Sequence, residues 1–250
     1  MELDLHGAVV LVTGGVRGVG LGITRAFLSA GATVVTCARR PAEVEGASFV
    51  PCDVRDADQV SELVSGIVAE HGRVDVVVNN AGGAPFALAD KASPRFHSKI
   101  VELNLLAPLL VSQAANEVMQ EQGSGSIVNV SSVSGRRPSP GTAAYGAAKA
   151  GLDSLTSSLA VEWAPKVRVN ALAVGMVRTE QSHLHYGSEA GIEAVARTVP
   201  LGRLASPDEV GACAVFLASP LASYVSGATL VVHGGGEAPA FLTAADGGTA

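Results

Sequence analysis

The apolar run Ala8-Val9-Val10-Leu11-Val12 is followed directly by Thr13-Gly14-Gly15-Val16-Arg17-Gly18-Val19-Gly20. The first segment predicts a buried strand, and the second predicts a glycine-rich turn that leads into a helix. Glycines let the backbone turn tightly and approach a ligand, and free amides at a helix N-terminus attract anions. This strand–turn–helix context favours a site for the pyrophosphate of a dinucleotide. A tight turn without a ligand is the alternative.

The composition of the chain limits both its architecture and its function. With 250 residues, 48% apolar and 16% charged, it is long enough for one large α/β domain or two small ones. The formal net charge of −6 argues against nucleic-acid binding as the main function. No apolar run is long enough to span a membrane and the acidic N-terminus is unlike a secretory signal, so we expect a cytoplasmic protein without a membrane partner. The three cysteines lack metal-ligand spacing, and we expect no metal.

Short apolar or β-branched runs alternate with longer helical patterns along the whole chain. We predict strands at 8–13, 32–37, 48–51, 74–79, 125–131, 167–173 and 228–233, and helices at 18–30, 56–71, 97–121, 143–164 and 207–218. The alternation predicts one doubly wound α/β domain over residues 1–250, with a parallel sheet and helices on both faces. The irregular, polar segment 176–200 is a candidate lid over the substrate. The Ala- and Gly-rich segment 237–250 is a candidate frayed tail.

Tyr145 and Lys149 are four residues apart in the predicted helix 143–164, so their side chains leave the same face. A free tyrosine has a pKa near about 10, and a nearby ammonium group favours the phenolate. We therefore expect Lys149 to lower the pKa of Tyr145. Such a phenol can give a proton to a carbonyl oxygen or take one from an alcohol. A tyrosine that merely lies beside a surface lysine is the alternative.

Several short motifs occur in a fixed order along the chain. They are Thr13-Gly14-(x)3-Gly18-x-Gly20, Asp53-Val54, Asn79-Asn80-Ala81-Gly82, Asn104, Ser132, Tyr145-(x)3-Lys149, Pro200-Leu201-Gly202-Arg203, and Ser226-Gly227 with Gly234-Gly235. With these motifs at these separations, the chain resembles the short-chain dehydrogenase/reductase family over nearly its whole length. The resemblance implies a single Rossmann domain with a seven-stranded parallel sheet, assembled as a homotetramer or homodimer.

The resemblance also implies roles for individual residues. Four residues would be catalytic: Ser132 would hold the substrate oxygen, Tyr145 would be the acid/base, Lys149 would also bind the nicotinamide ribose, and Asn104 would bind a relay water. The cofactor would lie against Gly14, Gly18, Val19, Gly20, Asp53, Val54, Asn80, Ala81, Gly82, Tyr145, Lys149, Val177 and Thr179. Ser131 is the alternative to Ser132, and a helix-bending role is the alternative for Asn104.

The chain departs from the family pattern at Val174, because a proline usually precedes the glycine that is Gly175 here. Proline fixes its own φ angle. Its replacement leaves the path of residues 176–179 open.

The residues after the second predicted strand bear on the choice of cofactor. An NAD site places an acid about 20 residues beyond the glycine turn, where it accepts a hydrogen bond from the ribose 2′-hydroxyl. The run here is Val35-Thr36-Cys37-Ala38-Arg39-Arg40, which contains no acid. Arg39 can bind a 2′-phosphate through a bidentate contact, and Arg17 can approach the same group. We therefore expect NADP(H) rather than NAD(H), with solvated loop charges as the alternative.

Together these patterns predict an oxidoreductase that transfers a hydride between NADP(H) and a carbonyl or secondary alcohol. An NAD-dependent alcohol dehydrogenase and a non-catalytic nucleotide-binding sensor are the alternatives, but a sensor needs none of the four candidate catalytic residues. We expect an apolar pocket framed by Phe86, Val133, Met176, Leu184 and Tyr186, which suits a bulky ketone, a steroid-like alcohol or an acyl thioester. Apolar residues on more than one face of helices 97–121 and 143–164 favour a homo-oligomer.

Overall fold

Seven strands form one parallel sheet in the computed structural model, which describes residues 3–239. The strands are β1 (Val9–Thr13), β2 (Thr33–Ala38), β3 (Ser48–Pro51), β4 (Val76–Asn79), β5 (Gly125–Ser132), β6 (Val167–Val174) and β7 (Thr229–Val232). Their order across the sheet is β3-β2-β1-β4-β5-β6-β7. The direction of winding reverses between β1 and β4, and a ligand-binding crevice is expected beyond the carboxyl ends of these strands.

Helices lie on both faces of this sheet. Within residues 3–239 there are eight α-helices: α1 (Gly18–Ser29), α2 (Ala57–His71), α3 (Pro94–Val101), α4 (Ala107–Gln122), α5 (Ala143–Glu162), α6 (His183–Tyr186), α7 (Glu189–Ala196) and α8 (Pro207–Ala218). On β1, Leu11 packs with residues of α2 and α4, whereas its neighbour Val10 packs with residues of α1 and α8. Strands buried on both faces account for their continuous apolar sequences. No helix in this part of the chain is both long and apolar enough to cross a bilayer.

Four of the eight α-helices within residues 3–239 are capped at the N-terminus by the side chain of the residue that precedes them. Side-chain oxygens accept hydrogen bonds from the first amides of four helices: Asp56 for α2, Ser93 for α3, Ser188 for α7 and Ser206 for α8. In the part of the chain that the structure describes, helix α1 has no such cap, as is also the case for α4, α5 and α6. Arg17 precedes α1 and makes no capping hydrogen bond within the described residues. The first amides of α1 are therefore open to an acceptor from elsewhere.

The predicted fold class is confirmed, and every predicted strand lies within two residues of an observed one. The predicted helix 97–121 is wrong in two respects. It begins earlier, at Pro94, because Ser93 caps it and proline is tolerated in the first turn. It is also interrupted by a π-helical turn, Glu102–Leu106.

The segment 176–200 is not irregular, contrary to the prediction. It contains α6 and α7, and its apolar residues Ile192 and Val199 are buried together with Leu204. The start of the predicted tail is also held in place. The Ala238 amide donates a hydrogen bond to Thr198 O, and Glu237 pairs with Arg137. Residues 240–250 of that prediction lie outside the described residues.

Candidate active site

The glycine turn between β1 and α1 is folded tightly on itself. Gly14 and Gly18 have φ angles of 65° and 52°, a region that strongly favours glycine. A Cβ atom on Gly20 would lie 2.1 Å from the carbonyl oxygen of Gly14. The side chain of Asn80 fastens the turn, since its Nδ2 donates to Thr13 O at 2.9 Å and to Gly14 O at 3.1 Å. These contacts explain the glycine spacing and leave a backbone surface that a ligand can approach.

The turn after β4 buttresses this surface. Thr13 Oγ1 accepts hydrogen bonds from the amides of Asn80 and Ala81, each at 3.0 Å. Asn79 points the other way, and its Nδ2 lies 2.8 Å from both Ser112 Oγ and Asn129 Oδ1 inside the domain. Of this motif, Asn80 and Ala81 therefore border the glycine turn, whereas Asn79 holds the motif to the core. Their contact with a cofactor stays a prediction.

A carboxylate already lies at the N-terminus of α1. The Gly18 amide donates to Glu180 Oε1 at 3.2 Å, and a Cβ atom on Gly18 would lie 3.6 Å from Thr179 Cγ2. Sequence patterns indicated Gly18 and Thr179 but not Glu180, which is 162 residues from its partner. An anion bound at this amide fits the expected role of the turn in binding a diphosphate.

Hydrogen bonds fix the path of residues 176–179 despite the missing proline. Val174 ends β6, and the Gly175 amide donates to Val232 O at 2.9 Å. Beyond it, Met176 O accepts from the amide of Ala205 at 3.1 Å, and the Arg178 amide donates to Ala205 O at 2.8 Å. This short ladder carries the chain past the glycine turn to Thr179.

Lys149 is buried beside Tyr145. Its Nζ donates to Val130 O at 2.7 Å and lies 5.6 Å from the centroid of the Tyr145 ring. Burial lowers the pKa of Lys149 from 10.5 to about 8, and the carboxylate of Asp153 acts in the opposite direction. Asp153 pairs with Arg136 at 3.1 Å, and its Oδ1 is buried without a hydrogen-bond partner among residues 3–239.

The pKa of Tyr145 is raised above its usual value, so the expectation that Lys149 lowers it is wrong for this arrangement. Burial disfavours the phenolate, and the neighbouring Ser132 hydroxyl favours it by less. The ammonium group of Lys149 lies over the ring and donates to a backbone carbonyl rather than to the phenol oxygen.

The two serines at the end of β5 have different partners. Ser132 lies next to the Tyr145 phenol, and its Oγ accepts from the Ser134 amide at 3.1 Å. Ser131 Oγ donates to Lys149 O at 3.3 Å and so contacts the backbone of α5. The structure therefore brings Ser132, the predicted serine, beside Tyr145.

Asn104 lies in the π-helical turn and is fully buried. Its Nδ2 donates to Ile100 O and to Gly83 O, both at 2.9 Å, and its Oδ1 accepts from the Gly83 amide at 2.8 Å. The bond to Ile100 matches the helix-bending alternative. A Cβ atom on Gly82 would lie 2.7 Å from Asn104 Oδ1 and 3.4 Å from Lys149 Nζ, so these groups converge at Gly82. The relay water stays a prediction.

The charged residues expected near the adenosine differ in whether they form ion pairs. Arg17 and Arg39 are exposed, and neither forms an ion pair within residues 3–239. Asp53 binds Arg55 through two contacts of 2.9 and 2.5 Å, which lowers the pKa of Asp53, and Arg39 adds a smaller effect in the same direction. The side chain of Val54 is buried in the core on one face of the sheet, and that of Val19 packs against the core on the other face, which leaves their backbones for any cofactor contact.

The expected apolar pocket is not formed as predicted. Met176 and Tyr186 pack against the small core of the segment 176–200, and Phe86 is 72% exposed. Sequence patterns missed a charged pair beside Tyr186, in which Arg137 contacts Glu237 at 2.5 Å. This pair joins the loop after Ser132 to the segment after β7, and such a long-range contact has no local sequence signal.

Comparisons with known proteins agree with this site and fold. A family model described as enoyl-(acyl carrier protein) reductase matches residues 14–237. The chain is 36% identical to D-threitol dehydrogenase of Mycolicibacterium smegmatis, covering 94% of each protein. It is also 36% identical to 3-oxoacyl-[acyl-carrier-protein] reductase of Thermotoga maritima, covering 93% of this chain and 99% of the relative.

The ligand-free structure of aldohexose dehydrogenase from Thermoplasma acidophilum has a TM-score of 0.88 and 31% identity, covering 92% of this chain and 94% of that one. These matches confirm the predicted family and support nicotinamide-dependent oxidoreduction of a small-molecule carbonyl or alcohol, with NAD(H) or NADP(H). The chain belongs to the short-chain dehydrogenase/reductase family.

Proposed function

We propose that this chain is an NADP(H)-dependent carbonyl reductase or secondary-alcohol dehydrogenase. The observation that carries the proposal is the grouping of Ser132, Tyr145 and Lys149, with Lys149 Nζ next to Gly82. The Tyr145 phenol adjoins the Ser132 hydroxyl, and the Lys149 ammonium lies 5.6 Å from the ring centroid. A bound nicotinamide would supply or accept the hydride at this place.

The three side chains divide the handling of the substrate oxygen. Ser132 Oγ would donate a hydrogen bond to that oxygen and orient it towards Tyr145. Because the pKa of Tyr145 is raised, its Oη holds a proton at neutral pH and can give it to the oxygen during reduction. Lys149, with a pKa of about 8, is mostly protonated at neutral pH, and its positive charge would stabilise the phenolate that remains.

NADP(H) is the proposed cofactor because two exposed arginines border the expected adenosine site. No acid follows the end of β2 at Ala38, where Arg39 and Arg40 come next. The nearby Asp53 carboxylate is paired with Arg55. Arg17 lies in the glycine turn, and its guanidinium is free to approach the same phosphate. Arg39→Asp should shift the ratio of kcat/KM values towards NAD(H). A wild-type protein that favours NADH tenfold on the same substrate would refute this preference.

Relatives with widely different names define the substrate panel that tests the reaction. It should contain sugar alcohols such as threitol, aldohexoses, 3α-hydroxysteroids and 3-oxoacyl thioesters, because relatives are named for these compounds. We expect at least one of them, or the matching carbonyl or alcohol, to change the absorbance of the reduced nicotinamide. Tight cofactor binding without turnover of any class would favour the sensor instead.

We further propose a homotetramer or homodimer in the cytoplasm. β7 is an edge strand whose Val231 is 37% exposed, and Leu106 and Val161 leave apolar surface beside α4 and on α5. The three cysteines are free thiols, as is usual in a reducing compartment. Light scattering that gives the monomer mass of 25.1 kDa at micromolar concentration would refute the oligomer.

A further inference from the structure

The N-terminus of α1 is capped from a distant part of the chain. Gly18 is the first residue of this helix, and its amide has no partner inside the helix. Arg17 makes no capping bond within the described residues, and the first turn of α1 contains no acid. Glu180, from the segment after β6, supplies the acceptor instead, with Oε1 at 3.2 Å from the Gly18 nitrogen.

A carboxylate and a diphosphate need the same donors at this place. The open amides and the positive end of the helix dipole attract both groups, and the negative charges of the carboxylate and the diphosphate repel each other. The charge of Glu180 is not neutralised by an ion pair within residues 3–239. Two anions therefore compete for one helix end.

We infer that Glu180 is an affinity-determining residue of the cofactor site: its carboxylate competes with the cofactor diphosphate for the N-terminus of α1. The inference deepens the proposed function and rests on it, because it assumes that a dinucleotide binds at the glycine turn. The carboxylate weakens cofactor binding by the free energy needed to displace it, and it adds repulsion that favours cofactor release.

The surroundings of Glu180 allow its side chain to move while its backbone stays in place. The side chain is exposed, so it has room to swing away from the turn. The backbone on either side is held, because the Thr179 amide donates to Ser182 Oγ at 2.9 Å and Glu180 O lies 3.1 Å from His183 Nδ1. The substitution Glu180→Gln keeps the shape and one acceptor oxygen, and replaces the charged carboxylate with a neutral amide.

The test is a fluorescence titration of the full chain with NADPH. We expect Glu180→Gln to lower the Kd for NADPH about twofold to fivefold, the range for one exposed charge at a helix end. The effect should shrink at high ionic strength, because salt screens exposed charges. Glu193→Gln is the matched control. It removes one exposed acid from α7, in the same segment, and it should leave the Kd unchanged.

Thermal unfolding gives a second readout that needs no substrate. Saturating NADPH should raise the Tm of Glu180→Gln by more than it raises the Tm of the wild type, because tighter binding stabilises the folded state more. A Kd for Glu180→Gln equal to or higher than the wild-type value would overturn the inference alone. A wild type that binds neither NADPH nor NADH would overturn the proposed function and this inference together.

Discussion

Replacing Lys149 with Met should stabilise the protein at neutral pH, although it removes a candidate catalytic group. The pKa of Lys149 falls from 10.5 to about 8 on folding because the ammonium is buried. One pKa unit corresponds to about 1.4 kcal/mol, so holding this charge costs about 3 kcal/mol at pH 7. The variant avoids that cost but leaves Val130 O without its 2.7 Å bond, a loss of about 1–2 kcal/mol. We expect a net gain of about 1–2 kcal/mol at pH 7.

The pH dependence of stability shows whether burying the Lys149 charge is unfavourable, whatever the lost hydrogen bond to Val130 O contributes. Below pH 8 both the folded and the unfolded wild type hold the lysine proton, and the full cost applies. Between pH 8 and 10.5 only the unfolded state keeps it, so wild-type stability rises with pH relative to the variant. The advantage of Lys149→Met should therefore shrink by about 2 kcal/mol or more between pH 7 and pH 10.

Urea unfolding followed by circular dichroism at both pH values measures this change. Lys91→Met is the control, because the Lys91 side chain is 74% exposed, and its effect on stability should not change with pH in the same way. A difference between wild type and Lys149→Met that is equal at pH 7 and pH 10 would refute the reasoning. The expected result would mean that Lys149 is retained at a cost to stability, as is common for groups with a function.

Two other predictions concern the surroundings of the site and the packing behind it. Asp153→Asn should lower the pKa of Lys149 further, because Asp153 raises it, and should move the alkaline limb of the pH profile of kcat/KM to lower pH. Arg136→Gln removes the partner of Asp153 and should move that limb to higher pH. Shifts of the limb in the same direction for both variants would contradict an electrostatic effect of Asp153 on Lys149. Gly22→Ala should destabilise the fold by about 1–3 kcal/mol, because its Cβ would lie 2.3 Å from the Pro207 carbonyl carbon where α1 meets α8; unchanged urea unfolding would contradict this.

Local sequence patterns were sufficient to predict the strands of the sheet and the glycine turn. Continuous apolar runs of β-branched residues mark strands that are buried on both faces, and Gly14, Gly18 and Gly20 mark a turn that other residues cannot form. The spacing of Tyr145 and Lys149 placed both side chains on one face of α5. In each of these cases the deciding interactions lie within a few residues along the chain.

The features of the site that could not be predicted from the sequence depend on contacts between segments far apart in the chain. The π-helical turn at Asn104 is stabilised by bonds to Gly83 on another loop, and the Glu180 carboxylate reaches Gly18 across 162 residues. The direction of the Tyr145 pKa shift depends on how deeply the phenol is buried and on where the Lys149 ammonium lies, and neither follows from their spacing.

The central claim is that Tyr145 moves a proton while a nicotinamide exchanges a hydride with the substrate. The most direct test compares wild type and Tyr145→Phe on the best substrate of the panel, with NADPH affinity and turnover measured on the same samples. The phenylalanine ring keeps the packing and lacks only the hydroxyl. We predict a Kd for NADPH close to that of the wild type and a kcat at least about 100-fold lower. Turnover by Tyr145→Phe near the wild-type rate would contradict the claim.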